Sequence, residues 1–374
     1  MTAENKICRC DRCGRPIISP VKYVGYGEFC ENCINRVNCG LYESGLDPAV
    51  LKMLTERSAK GDTDAMLTLG MIKLTTSDDK AGEREGEKLL IRAATKGNLR
   101  AQLYLSDQYA YKGKNSESIS WLKSSAAGGL PRAIVQLGIC YATGDGMEKN
   151  ADIARELFAK AAEMGSTWAM INIGYTYKEG VGVKRDGEEA LKWFTAVVEA
   201  GDPEGYMEIG VLYSEGIAVK KDFAKAAENY RKAAEGGFVK AYNNLGTLYL
   251  SGNGVEKDVK KAIDCFINAS EDGHPGAAYN LGLIYSLEQY GINDKTKAAE
   301  WFEIAAERGN ADAMLTLSRM YLEGEGVVKD FNRGMVLLTE SAMEGNVTAQ
   351  KSIEALARMA DPLLSGKQSR GRRR

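Results

Sequence analysis

Six of the eight cysteines fall between positions 8 and 39. Within that cluster Cys10-x2-Cys13 and Cys30-x2-Cys33 are separated by 16 residues. That is the two-knuckle spacing of a tetrahedral zinc site. Four thiolates fill the coordination shell, so a site built from Cys10, Cys13, Cys30 and Cys33 is structural, because zinc catalysis needs an open position. Cys8 and Cys39 flank the set, and either can exchange with one of the four. A two-zinc RING arrangement is excluded, since it needs eight ligands and six cysteines with no nearby histidine cannot supply them.

Other chemistry is sparse. The single histidine, His274, stands in an His-Pro-Gly junction and reads as a loop residue, not as a base. No serine or cysteine has a plausible set of triad partners, and no Gly-x4-Gly-Lys-Ser/Thr phosphate loop occurs. The sequence therefore points away from catalysis.

Composition narrows the class further. With 44% hydrophobic and 27% charged residues, the chain can bury a core and remain soluble. The start, MTAENKICRCDRCG, lacks the apolar stretch of a signal peptide, and no apolar run approaches the roughly 20 residues that span a bilayer. A cytoplasmic protein with no membrane partner is expected, and the clustered thiols suit a reducing compartment. The net charge of -2 conceals basic ends. Residues 1–40 carry six Lys or Arg against four acids, and residues 361–374 carry five against one, so the body between them is acidic. An acidic body is a poor non-specific ligand for nucleic acid.

The elements that must carry these groups are announced by a repeat. Ala65, Ala101, Ala133, Ala169, Gly205, Ala241, Ala277, Ala313 and Ala349 recur at intervals of 36, with one interval of 32 after Ala101. Four residues after each stands Leu or Ile, and eight residues after, from Tyr109 to Tyr321, stands a tyrosine. Steps of four place all three on one helical face. A second stripe, such as Ala190, Trp193, Phe194 and Val197, marks a second amphipathic helix in each unit. Glycines such as Gly252 and Gly254 separate the two helices, Asp222, Asp258 and Asp330 are placed to cap the second, and another glycine closes each unit. Two punctuation marks per unit make a helical hairpin.

The segment AMINIGYTYKEGVGVKRDGEEALKWFTAVVEAG, beginning at Ala169, resembles the Sel-one-like branch of tetratricopeptide-type repeats in its Ala, Leu/Ile-Gly, Tyr, Gly-x-Gly-Val, Asp, Ala, Trp-Phe and closing Gly. The resemblance covers about residues 58–360. It implies an all-α, right-handed α/α superhelical solenoid that binds other proteins. Two units depart from the pattern: the one at Ala277 has the linker SLEQYGINDK without Gly-x-Gly, and the one at Ala101 is four residues short. Some secreted members of the family staple each hairpin with cysteines, but Cys140 and Cys265 lie three units apart and read as packing residues.

The expected organisation is a zinc module at 1–40, a connecting segment at 41–57, eight hairpin repeats plus a terminal capping helix at 58–360, and a basic disordered tail at 361–374. On the first helix of each unit, the side opposite its partner carries Ile171 and Tyr175, Met207 and Val211, Asn243, and Tyr279 and Leu283. This face is either a groove for an extended peptide or amphipathic helix, or extra packing between neighbouring units. Asn172, Asn244 and Asn280 invite a peptide-clamping reading, against which they cap loops or bond to neighbouring hairpins. The expected function is a non-catalytic scaffold or adaptor for a protein or peptide, with the zinc module as second contact. A nucleic-acid-associated regulator acting through the finger and tail is the first alternative, and a regulatory subunit of an enzyme the second. The sequence leaves the oligomeric state open.

Overall fold

The computed structural model describes residues 21–23, 27–29, 48–76, 80–217 and 220–368. Strands β1 (Val21–Tyr23) and β2 (Gly27–Phe29) pair antiparallel, with Val21 opposite Phe29. The proposed ligands Cys10, Cys13, Cys30 and Cys33, and the flanking Cys8 and Cys39, lie outside the described residues.

Among the described residues, all other regular structure is helical. Helix α1 (Pro48–Ala59) occupies much of the segment expected to be a connector. The 36-residue period begins only at Ala65 and could not announce α1, yet Leu54 packs with Ala65 and Ile72 on the next helix. The chain divides into two compact units, residues 1–212 with 217–219, and residues 213–216 with 220–374.

The first unit holds four hairpins: α2 (Thr63–Thr76) with α3 (Lys80–Thr95), α4 (Leu99–Tyr111) with α5 (Asn115–Ala127), α6 (Pro131–Thr143) with α7 (Ala151–Glu163), and α8 (Thr167–Glu179) with α9 (Gly187–Glu199). Helix α10 (Glu204–Glu215) follows. The small residues Ala101, Ala133 and Ala169 are wholly buried, which lets the helix pairs close. Large side chains of the second helices, Phe158 and Phe194, fill the space between them. Burying such a ring contributes about 1.5–3 kcal/mol. In the shortened unit at Ala101, Lys114 N–H still donates to the Tyr109 carbonyl at 2.8 Å, so the hairpin closes with four residues fewer.

The second unit contains α11 (Phe223–Glu235), then α12 (Ala241–Ser251) with α13 (Val259–Glu271), α14 (Pro275–Ser286) with α15 (Lys295–Glu307), α16 (Ala311–Glu323) with α17 (Phe331–Met343), and finally α18 (Val347–Gln368). Helix α18 extends into the stretch expected to be a tail from residue 361.

The α12–α13 turn shows how the repeat closes locally. Gly252 ends α12 in the left-handed region at φ 74°, which an L side chain rarely adopts. Asp258 N–H then donates to the Tyr249 carbonyl at 3.0 Å, while the Asp258 carboxylate accepts from Lys261 N–H at 2.9 Å and caps α13. That backbone bond holds the Asp258 carboxyl below its ordinary value. The same cap places the Lys261 ammonium 5.6 Å over the Tyr249 ring. A Cβ at Gly254 would strike the backbone of Phe223 and Ala224, so this linker presses on the start of the preceding second helix.

The irregular linker after Ala277 takes another path to the same end. Helix α14 stops at Leu287, a 3-10 turn spans Glu288–Tyr290, and Asp294 N–H donates to the Tyr285 carbonyl at 2.9 Å. The register of α15 is thereby restored without Gly-x-Gly.

Candidate functional site

In the first unit, Tyr175 of α8 lies edge-on to Phe194 with ring centroids 5.8 Å apart, and it is 37% exposed. Its hydroxyl faces Glu208 of α10, a residue only 7% exposed. Burial, followed by the Glu208 charge, pushes the Tyr175 hydroxyl far above its ordinary value. The Lys178 ammonium stands 5.7 Å from the Tyr175 ring centroid. Met207 and Val211 on α10 are half-buried. Ile171 is 4% exposed, so it serves packing and is not presented to a ligand.

The second unit repeats the theme with different chemistry. Tyr279 of α14 tilts against Phe302 at 5.6 Å, and Leu283 joins the same apolar cluster. Asn280 donates through Nδ2 to Oδ1 of Asn243 at 3.1 Å, linking α14 to α12. Asn243, Tyr279 and Leu283 are all half-buried. The asparagine series thus makes contacts within the protein: Asn280 bonds the neighbouring hairpin, and Asn172 donates to the Trp168 carbonyl at 2.7 Å.

In each unit these residues are a mixture of buried packing and partly exposed surface. What sequence reading missed is the polar link between successive first helices. Gln136 donates to Asp107 at 2.7 Å and Asn280 to Asn243 at 3.1 Å, and Tyr175 faces Glu208. The signal was available as polar pairs about one repeat apart.

Cys140 is half-buried and Cys265 is buried, both as free thiols. Burial raises the Cys140 thiol and pushes Cys265 up to about 11, so neither is an effective nucleophile near neutral pH. His274 is more than a loop residue: its Nδ1 caps α14 by accepting from Ala277 N–H at 3.1 Å. Among the described residues, no three His, Cys, Asp or Glu side chains form a group that could hold a metal ion. Among them also, no helix is long and apolar enough to cross a membrane.

Stacked helical hairpins with buried small residues at a fixed period define a helical-repeat solenoid of the tetratricopeptide-like class. The Sel1 repeat model matches residues 131–166, 169–202, 203–238, 239–274, 275–310 and 311–346, more than half of the chain. The chain belongs to the Sel1 repeat family.

Among solved structures, a Sel1 repeat protein from Oxalobacter formigenes is similar at 29% identity and a TM-score of 0.59, covering 83% of this chain and 92% of that one. The protein c5321, a protective antigen of uropathogenic Escherichia coli strains with an SLR fold, is similar at 29% identity and a TM-score of 0.55, covering 83% and 67%. No curated protein matches the chain.

Proposed function

We propose that this protein is a non-catalytic scaffold whose first-helix faces hold a protein or peptide partner. The observation that carries the reading is the run of large side chains along those faces, Tyr175, Met207 and Val211 in one unit and Tyr279 and Leu283 in the other, each left partly exposed in a folded helix. Stacked repeats create extended binding surfaces of this kind, and partly exposed aromatic and Met side chains are favoured contacts in protein interfaces. The Asn280–Asn243 bond ties α14 to α12, which preorganises that face for a ligand.

Cys10, Cys13, Cys30 and Cys33 form a structural zinc site in this account. It rests on their spacing and on the β1–β2 hairpin, which reverses the chain between the two cysteine pairs. The zinc module supplies a second contact with the partner, and two contacts on one chain raise avidity through effective concentration. A reducing, cytoplasmic setting suits the free thiols of Cys140 and Cys265.

The test is affinity capture with the full chain and with two variants, Met207→Glu and Tyr279→Glu, each checked for unchanged helicity by circular dichroism. Loss of a protein partner from both variants supports the reading. Undiminished capture by both would show that these faces are not the site.

A further inference from the structure

The linkers that end the first helices differ at one chemically important position. Directly after the glycine that stops the helix stand Asp145, Val181, Ile217, Asn253 and Glu325 in five repeats. Asn253 is followed by Gly254, and this is the one Asn-Gly step in the chain. Both residues are exposed, in the turn between α12 and α13. Asparagine is among the thermolabile residues. A following glycine has no Cβ to hinder its backbone nitrogen as it approaches the asparagine side-chain carbonyl carbon.

The Gly254 nitrogen is available for that approach. Gly252 and Asn253 N–H groups both donate to the Leu248 carbonyl, at 2.9 and 3.2 Å. Among the described residues, no hydrogen bond holds the Gly254 N–H. Other asparagines are engaged differently. Asn98 and Asn310 cap helices through their side-chain oxygens. Asn172 and Asn268 donate to carbonyls one turn back in their own helices. After Asn293, the Asp294 N–H is bonded to the Tyr285 carbonyl.

We propose that Asn253 is a site of spontaneous modification by deamidation. The Gly254 nitrogen loses its proton to water and attacks Cγ of Asn253. The new C–N bond closes a succinimide ring, and the side-chain amide takes up a proton and leaves as ammonia. Water, the co-reactant, then opens the ring at either carbonyl. One opening gives aspartate; the other gives isoaspartate, whose main chain runs through the former side chain. Nothing is oxidised or reduced, and either product adds one negative charge.

The two products differ in structural effect. Asp145 and Glu325, both exposed, show that the repeat accepts an acid at this place. Isoaspartate lengthens the main chain by one carbon–carbon bond, about 1.5 Å. The linker has little room for it, since Gly254 sits at φ 68° and even a Cβ there would strike the backbone of Phe223 and Ala224. Isoaspartate therefore loosens the α12–α13 turn, and aspartate does not.

Incubation of the full chain at neutral pH, with peptide mapping by mass spectrometry at intervals, tests the proposal. The aspartate and isoaspartate forms are separated by chromatography and melted individually. The expected result is a growing charge variant, more negative by one unit, with both products mapped to Asn253 and conversion there faster than at Asn98 or Asn310. Asn253→Ser should abolish the variant. Asn253→Asp should melt with the parent, and the isoaspartate form should melt lower. Conversion at Asn253 no faster than at the two capping asparagines overturns the proposal. An isoaspartate form that melts with the parent overturns the loosening of the turn.

Discussion

Gly282 of α14 and Phe302 of α15 stand twenty residues apart in the chain and in direct contact in the fold. A Cβ added to Gly282 would lie 2.5 Å from two atoms of the Phe302 ring, itself wholly buried. The same spacing joins Gly138 to Phe158 and Gly246 to Phe266. In the last hairpin the corresponding place is Ser318, whose hydroxyl donates to the Gly334 carbonyl at 2.7 Å. A small residue on the first helix thus makes room for whatever the second helix inserts.

Replacing Gly282 by Ala should therefore destabilise the second unit by about 1–3 kcal/mol through overpacking. Alanine's better helix propensity, about 1 kcal/mol, works in the opposite direction. Urea unfolding followed by circular dichroism separates the two effects: the midpoint falls if the ring is fixed and rises if it can move aside. Adding Phe302→Leu to Gly282→Ala should cost less than the sum of the single changes, since the two sites touch.

His274 must be neutral to cap α14, because Nδ1 accepts a hydrogen bond there. Burial, then the Lys240 charge, lowers its pKa from the ordinary 6.5, with Asp272 opposing. The folded chain thus binds this proton less readily than the unfolded chain. Stability from this site is complete above pH 6.5 and declines as pH falls through the lowered folded value. His274→Asn, which installs the residue that caps equivalent helices at Asn98 and Asn310, should keep the cap and remove this decline. Thermal melts of both proteins across pH 5–7.5 provide the check.

Asp222 caps α11 by accepting from Lys225 N–H at 3.0 Å. Asp222→Ala should lower stability by about 1 kcal/mol. Asp222→Asn should recover most of it, since the amide oxygen is also an acceptor. Chemical denaturation of the three proteins measures the difference.

The cysteine module should contain about one zinc per chain by elemental analysis. Chelation should release it while leaving the far-ultraviolet helical signal nearly unchanged, because the repeats close through their own cores. Collapse of the helical signal on chelation would show that the repeats depend on the metal.

Much of the fold was legible because its determinants are periodic. The recurring Ala and Tyr positions gave the first helices, the Phe158 and Phe194 positions fall on the second, and Asp222, Asp258 and Asp330 cap helices as their spacing predicted. Helix α1 was illegible because it precedes the first repeat and shares none of its pattern. A helical wheel gives the direction of Ile171 without the neighbours that cover it. The Tyr175–Glu208 pair combines residues of different chemistry in adjacent repeats, so no single recurring letter revealed it. The role of His274 was hidden for the same reason, since a histidine does what asparagine or serine does in sister repeats.

The most direct test of the scaffold account is affinity capture with the full chain at moderate and at high salt, followed by identification of what is retained as protein or nucleic acid. A protein partner that survives high salt and is lost from the Met207→Glu and Tyr279→Glu variants is expected. Retained nucleic acid that washes away as salt rises, with no protein partner left behind, would contradict it, because that dependence belongs to phosphate contacts and not to a packed helical face.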